Sequence, residues 1–100
     1  MGMTPEGKIK KKLDKMLKSK EHLFSFPPQA GPFGSAGIPD RVVCYQGKFL
    51  GIECKADAKK PLTALQLRAM RMIEAAGGTF FIVYDDATIA EVEDWINASS

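Results

Sequence analysis

The sequence predicts an α/β fold in which a mixed β-sheet is flanked by helices. Apolar residues recur at helical spacing in three segments, near residues 4–17, 63–76 and 88–97. Between these segments lie short apolar or alternating runs that are typical of strands. The predicted order is α-β-β-β-α-β-α, and a chain of 100 residues suits one domain spanning residues 1–100.

The composition is that of an ordinary globular protein, with 45% hydrophobic and 26% charged residues. No apolar run approaches the roughly 20 residues of a membrane span, and no signal-peptide pattern is visible. The two cysteines, Cys44 and Cys54, indicate small buried hydrophobic residues in a reducing compartment rather than a disulfide. We therefore expect no membrane association and a cytoplasmic location, in a bacterium or in a host cell.

Charge is distributed unevenly along the chain. Residues 1–60 contain 12 Lys or Arg against 6 Asp or Glu, whereas residues 61–100 contain 2 against 6. A lysine-rich first helix is either a solvated face or a surface for phosphates, and a basic half suits a polyanionic partner. The residues predicted to contact such a partner are Lys8, Lys11, Lys12, Lys15, Arg41, Lys59 and Lys60.

The first helix has a clear start and a clear apolar stripe. Thr4 is a predicted N-cap and Pro5 occupies the first helical position. The stripe consists of Ile9, Leu13, Met16 and Leu17. Glu6 lies three residues before Ile9 and therefore on the inward face, where it either stabilises the helix dipole or joins a site. A short edge strand is predicted within residues 22–26, and residues 27–39 are predicted to form a substrate-facing loop.

A hairpin follows, and its turn determines which residues face each other. If Gln46-Gly47 is a two-residue loop, Tyr45 faces Lys48, and the same register places Asp40 opposite Glu53. The two carboxylates would then have Cβ atoms about 5 Å apart and would repel each other by about 3 kcal/mol. A three-residue loop would instead place Asp40 opposite Cys54.

The second half of the chain predicts a strand between two helices. Thr63 caps a helix that ends near Ala76, with a core stripe of Leu65, Ala69, Met72 and Ile73. Residues 79–84 predict a strand buried on both faces and parallel to the second hairpin strand. Asp85-Asp86 cap a last helix, of which Ile89, Val92, Trp95 and Ile96 are predicted to face the core.

The paired acids suggest a metal site. Carboxylate oxygens without His or Cys ligands favour Mg²⁺ or Mn²⁺. Asp40, Glu53 and the backbone carbonyl of Cys54 are candidate ligands, with Glu6 brought in by the first helix. Lys55 projects from the same face as Glu53 and is placed to orient a water molecule or to stabilise negative charge.

These residues resemble a known family. Pro39-Asp40 followed by Glu53-Cys54-Lys55 is similar to the PD-(D/E)xK nuclease signature, and the wider context resembles the VRR-NUC (virus-type replication-repair nuclease) family. Residues 37–41, 53–56 and 62–66 carry that wider context. The resemblance implies a restriction-endonuclease-like core and a metal-dependent, structure-selective DNA endonuclease that acts as a homodimer on branched DNA such as four-way junctions or related repair intermediates.

The resemblance also assigns roles to individual residues. It implies that Asp40 and Glu53 bind metal, that Lys55 acts on the attacking water, and that Glu6 and Gln66 complete the site. Two alternatives of other classes stay open: a non-catalytic nucleic-acid-binding module on the same scaffold, and a small protein-interaction domain.

Overall fold

The computed structural model describes residues 2–29 and 37–100. Its elements are α1 (Pro5–Lys18), β1 (Leu23–Phe26), β2 (Arg41–Tyr45), β3 (Lys48–Cys54), α2 (Ala64–Ala75), β4 (Thr79–Val83) and α3 (Asp86–Ala98). This is the predicted order, and the predicted α/β class is confirmed. Part of the predicted substrate-facing loop, residues 30–36, lies outside the described residues. In the described ranges no helix is long and apolar enough to cross a membrane.

The four strands form one mixed sheet in the order β1-β2-β3-β4. The first three are antiparallel and β4 is parallel to β3, as predicted from the strand-helix-strand crossover. Tyr45 pairs with Lys48, and Arg41 pairs with Ile52. Gln46 and Gly47 have φ angles of 53° and 75°, as a two-residue type I′ turn requires. The predicted two-residue register is therefore confirmed.

The main core lies between one face of the sheet and helices α1 and α3. Alternate residues of β2 and β3, among them Val43, Leu50 and Ile52, are fully buried there. The predicted stripes of α1 and α3 contribute to the same cluster. Its buried helical members are Ile9, Leu13, Leu17, Ile89, Val92 and Ile96, with Met16 and Trp95 partly buried against them. Both N-cap predictions for these helices, Thr4 and Asp85, are confirmed.

The second face of the sheet is covered less completely, and the predicted core stripe of α2 is wrong. No residue of α2 is buried, and the side chains of Leu65 and Met72 are 48% and 61% exposed. Ile73 lies over Gly51 and Gly78, and it is half-buried together with Ala69. Leu65 and Met72, the other two residues of the stripe, stay at the surface.

Two further burial predictions, for Cys44 and for β4, are also wrong. Cys44 is exposed, whereas Cys54 is buried on the opposite face. The strand β4 lies at the edge of the sheet, so that only Val83 is buried and the preceding residues are half-buried.

A groove of about 490 Å³ runs between α2 and the sheet, lined by Pro28, Ile38, Pro39, Val42, Phe49, Leu65, Arg68, Ala69, Met72 and Ile73.

Candidate active site

Asp40 lies immediately before β2 and is held against the end of β3. Its Oδ2 atom accepts a hydrogen bond of 2.7 Å from the backbone N–H of Cys54, which fixes the carboxylate. The chain that leads to it packs closely on α2, because a Cβ atom at Gly37 would lie 2.3 Å from the carbonyl oxygen of Leu65. Only glycine permits this approach, so Gly37 helps to determine where Asp40 lies.

Glu53 is the buried acid of the site. It follows Ile52, the partner of Arg41, so the register brings it next to Asp40 as predicted. Glu53 is only 5% exposed. Burial, followed by the hydrogen bond and the negative charge of Asp40, raises the pKa of Glu53 to about 8, whereas Lys55 opposes the shift. Glu53 is therefore mainly protonated near neutral pH when no further cation is bound.

Gln66 connects Glu53 to Lys55 through one side-chain amide. Its Nε2 atom donates to Glu53 Oε2 at 2.9 Å, and its Oε1 atom accepts from Lys55 Nζ at 2.7 Å. The same Oε1 atom accepts the backbone N–H of Thr63 at 3.0 Å, which completes the capping box at the start of α2. The helix cap therefore orients the amide that holds both charged side chains.

Glu6 reaches the acid pair through Lys10. The Lys10 Nζ atom lies 3.3 Å from Glu6 Oε2 and 3.5 Å from Asp40 Oδ1. Partial burial by itself would lower the pKa of Lys10, but Asp40 and Glu6 together raise it. Within residues 2–29 and 37–100, no three side chains of His, Cys, Asp or Glu form a group arranged to hold a metal ion. The structure thus assembles Asp40, Glu53, Lys55 and Gln66, and it adds Glu6 by way of a lysine.

Cys54 contributes to the site through its backbone. Its N–H binds Asp40, and its side chain lies in the core on the other face of the sheet. Burial raises the pKa of the Cys54 thiol to about 12, so the thiol stays protonated. The ligand role predicted for its carbonyl oxygen stays a prediction.

A solved structure described as "VRR_NUC domain" superposes on the chain with a TM-score of 0.80. The chain has the fold of a VRR_NUC domain. The superposition covers 92% of this chain and 97% of that one at 19% sequence identity. The sequence matches no family model and no curated protein. The resemblance inferred from the motifs is thereby confirmed for the fold.

On this VRR_NUC fold, some residues predicted to contact DNA have exposed side chains, and others are paired with residues of the protein itself. Lys8, Lys11, Lys15, Lys59 and Lys60 are exposed. Lys12 is also exposed but lies 3.0 Å from Asp86. Their contacts with DNA stay predictions.

Arg41 is engaged inside the protein. Its guanidinium donates to both carboxylate oxygens of Asp14, at 2.8 and 2.9 Å, and to the carbonyl of Asp40 at 2.7 Å. The hydrogen bonds that Arg41 donates to Asp14 raise the pKa of Arg41 above its ordinary value. Arg41 therefore ties α1 to the backbone of Asp40, and contact with a phosphate would require it to leave these partners.

Sequence reasoning missed two residues that shape the site. The lysine-rich pattern of α1 does not single out Lys10, although its position four residues after Glu6 signals a helical ion pair. Asp14 is the one acid between Lys8 and Lys18, and its contact with Arg41 depends on how the helix docks. The spacing Thr63-x-x-Gln66 also matches a capping box and predicts that the glutamine side chain folds back toward the helix start.

Proposed function

We propose that the protein is a metal-dependent DNA endonuclease that hydrolyses phosphodiester bonds. The observation that carries this proposal is the pairing of half-buried Asp40 with buried Glu53, with Lys55 held beside Glu53 by Gln66. A protein that only binds nucleic acid has no need to place a buried carboxyl group against a second one, since this arrangement lowers stability unless a cation joins it. The same arrangement gives a hydrolase its metal ligands and its catalytic lysine.

The residues fit Mg²⁺ or Mn²⁺ by their chemistry. Asp40 and Glu53 offer only oxygen atoms, and the carbonyl of Cys54 can add another hard donor. Asp40 Oδ1 already faces a cation, the ammonium of Lys10. Burial, followed by the hydrogen bond and the negative charge of Asp40, raises the pKa of Glu53 to about 8, and a bound cation would favour its ionised form. When bound, the ion would polarise a phosphate oxygen and make a water molecule more acidic.

Lys55 supplies the fixed positive charge in this mechanism. Because Gln66 Oε1 holds its Nζ atom at 2.7 Å, the ammonium does not sample the wide range of an exposed lysine. It can orient the attacking water and stabilise the negative charge that develops as the water oxygen bonds to phosphorus and an ester P–O bond breaks. Glu6, which forms an ion pair with Lys10, is proposed as a further ligand of the metal ion.

The substrate proposed is branched DNA, bound by a homodimer. The exposed lysines of α1 and the surplus of positive charge in residues 1–60 support a polyanionic partner. The resemblance to stand-alone VRR-NUC proteins favours four-way junctions or related repair intermediates. A twofold dimer suits such a nearly twofold substrate and would present two sites to it.

Cleavage of a DNA panel tests the proposal. Linear, flap, splayed and four-way-junction DNAs are incubated with Mg²⁺ or Mn²⁺, and the mass of the protein in solution is measured in parallel. We expect Asp40→Asn and Lys55→Ala to lower cleavage by about 10²-fold or more while retaining DNA binding. The control is Glu91→Gln, which changes an exposed acid of α3.

Undiminished cleavage by either site variant would contradict the proposal. Salt-dependent DNA binding by the wild-type protein without cleavage under any divalent ion would instead support the non-catalytic binding module. Absence of salt-sensitive DNA affinity would support the protein-interaction domain.

A further inference from the structure

Lys10 places a positive charge between two of the acids proposed for the metal site. Its Nζ atom lies 3.3 Å from Glu6 Oε2 on the same helix and 3.5 Å from Asp40 Oδ1 on the chain before β2. A Glu–Lys pair four residues apart on a helix usually faces solvent and needs no third partner. Here the lysine side chain is only 31% exposed and reaches across to another element.

Lys10 faces the oxygen of Asp40 that is more open to a cation. Asp40 Oδ2 already accepts the backbone N–H of Cys54 at 2.7 Å, whereas Oδ1 points to the ammonium. A divalent ion that binds Asp40 through this oxygen would therefore come within a few Å of Lys10. At such distances two positive charges repel strongly, even with the screening found near a protein surface.

Other lysine ion pairs in the described part of the chain do not have this geometry. Lys12 of α1 pairs with Asp86, and Lys20, two residues after the end of α1, pairs with Glu93, so both ion pairs join this part of the chain to α3. Lys55, the lysine proposed for catalysis, is bonded to the neutral amide of Gln66. Of these lysines, Lys10 is the one that forms ion pairs with two carboxylates proposed as metal ligands, those of Glu6 and Asp40.

We propose that Lys10 is an exchangeable counter-cation that competes with the divalent ion for Asp40 and Glu6. This inference depends on the proposed function, because it assigns the role to a residue beside the proposed metal site. Without the ion, the ammonium compensates the acids and keeps Asp40 and Glu6 together. On ion binding it releases Asp40 Oδ1, and its four-carbon stem lets it swing away from the carboxylate. The consequence is a metal affinity lower than the same acids would have without it.

Calorimetric titration with Mn²⁺ in the absence of DNA tests this competition. We expect Lys10→Met, which keeps the apolar stem and removes the charge, to bind Mn²⁺ about tenfold more tightly than the wild type. Lys10→Arg keeps the charge and should stay close to wild-type affinity. The matched control is Lys20→Met, which removes a partly buried lysine with an ion pair to Glu93 beyond the C-terminal end of α1. Its Mn²⁺ affinity should not change.

Equal or weaker Mn²⁺ binding by Lys10→Met would overturn the inference, and weaker binding would show that Lys10 only supports the acids. Circular dichroism in EDTA checks that each variant is folded, and Lys10→Gln replaces Lys10→Met if the latter does not fold. A wild type that binds Mn²⁺ and cleaves DNA, with no gain in Lys10→Met, overturns this inference alone. A wild type that neither binds Mn²⁺ nor cleaves DNA overturns the proposed function itself.

Discussion

Replacing Glu53 by glutamine should stabilise the metal-free protein while it removes activity. Glu53 is buried beside Asp40, so its ionised form is disfavoured by burial and by the neighbouring negative charge. The amide introduced by Glu53→Gln has nearly the same shape and keeps an oxygen that can accept the hydrogen bond from Gln66 Nε2. It cannot ionise, and as a neutral group it is a poor substitute for a carboxylate ligand.

The size of the effect follows from the pKa. The pKa of Glu53 rises from 4.5 to about 8, and each pKa unit corresponds to about 1.4 kcal/mol. Below pH 4.5 both the folded and the unfolded states keep the proton, so the burial of Glu53 adds no ionisation cost. Between pH 4.5 and 8 the unfolded state loses the proton first, and the free energy of unfolding falls by about 1.4 kcal/mol per pH unit. Above pH 8 the loss of unfolding free energy caused by the ionisation of buried Glu53 reaches its full value, at most about 5 kcal/mol.

Urea unfolding in EDTA across pH 4 to 9 measures this directly. The difference in unfolding free energy between Glu53→Gln and the wild type should be near zero at the acidic end, grow through the neutral range and level off above pH 8. The exposed variant Glu91→Gln serves as a control and should follow the wild-type profile. A Glu53→Gln protein that is less stable than the wild type at pH 9 would refute the reasoning. It would show that the ionised Glu53 carboxylate does not destabilise the folded state.

Two further predictions concern the residues that position the site. Gln66→Ala should lower the free energy of unfolding by about 1–2 kcal/mol and cleavage by about tenfold or more, since it removes the side-chain half of the capping box and frees Lys55. Thr63→Ala is the matched control, expected to lower urea stability similarly with a smaller loss of cleavage rate. Gly37→Ala should cost about 1–3 kcal/mol in the same unfolding assay, because its Cβ would meet the carbonyl of Leu65 at 2.3 Å. Gly2→Ala, with nothing within 4 Å, should be neutral, and equal stability of the two alanine variants would contradict the argument.

Local patterns were sufficient for the order of elements and for the facing acids. Helix caps and periodic apolar residues identified α1 and α3, and the loop of Gln46 and Gly47 determined the pairing of β2 with β3. Both signals act over a few residues, through φ angles and hydrogen bonds that the sequence encodes directly. The adjacency of Asp40 and Glu53 follows from that turn, which is why it was predictable.

Burial on the second face of the sheet was not predictable in the same way. The apolar spacing in α2 predicts a buried stripe, but Ala69 and Ile73 are only half-buried, and Leu65 and Met72 remain exposed. Periodicity shows which side chains share a face of a helix, whereas burial depends on how much of that face another element covers. Cys44 was mispredicted for the same reason.

The sequence by itself therefore determined the fold class, the hairpin register and the pair of carboxylates. Only the tertiary structure decided how those acids are compensated: by the amide of Gln66, which the cap of α2 aims between Glu53 and Lys55, and by Lys10, which α1 brings to Asp40. These contacts join residues from separate elements over distances of a few Å. Their geometry depends on how whole helices dock on the sheet, and no local pattern in the chain specifies that docking.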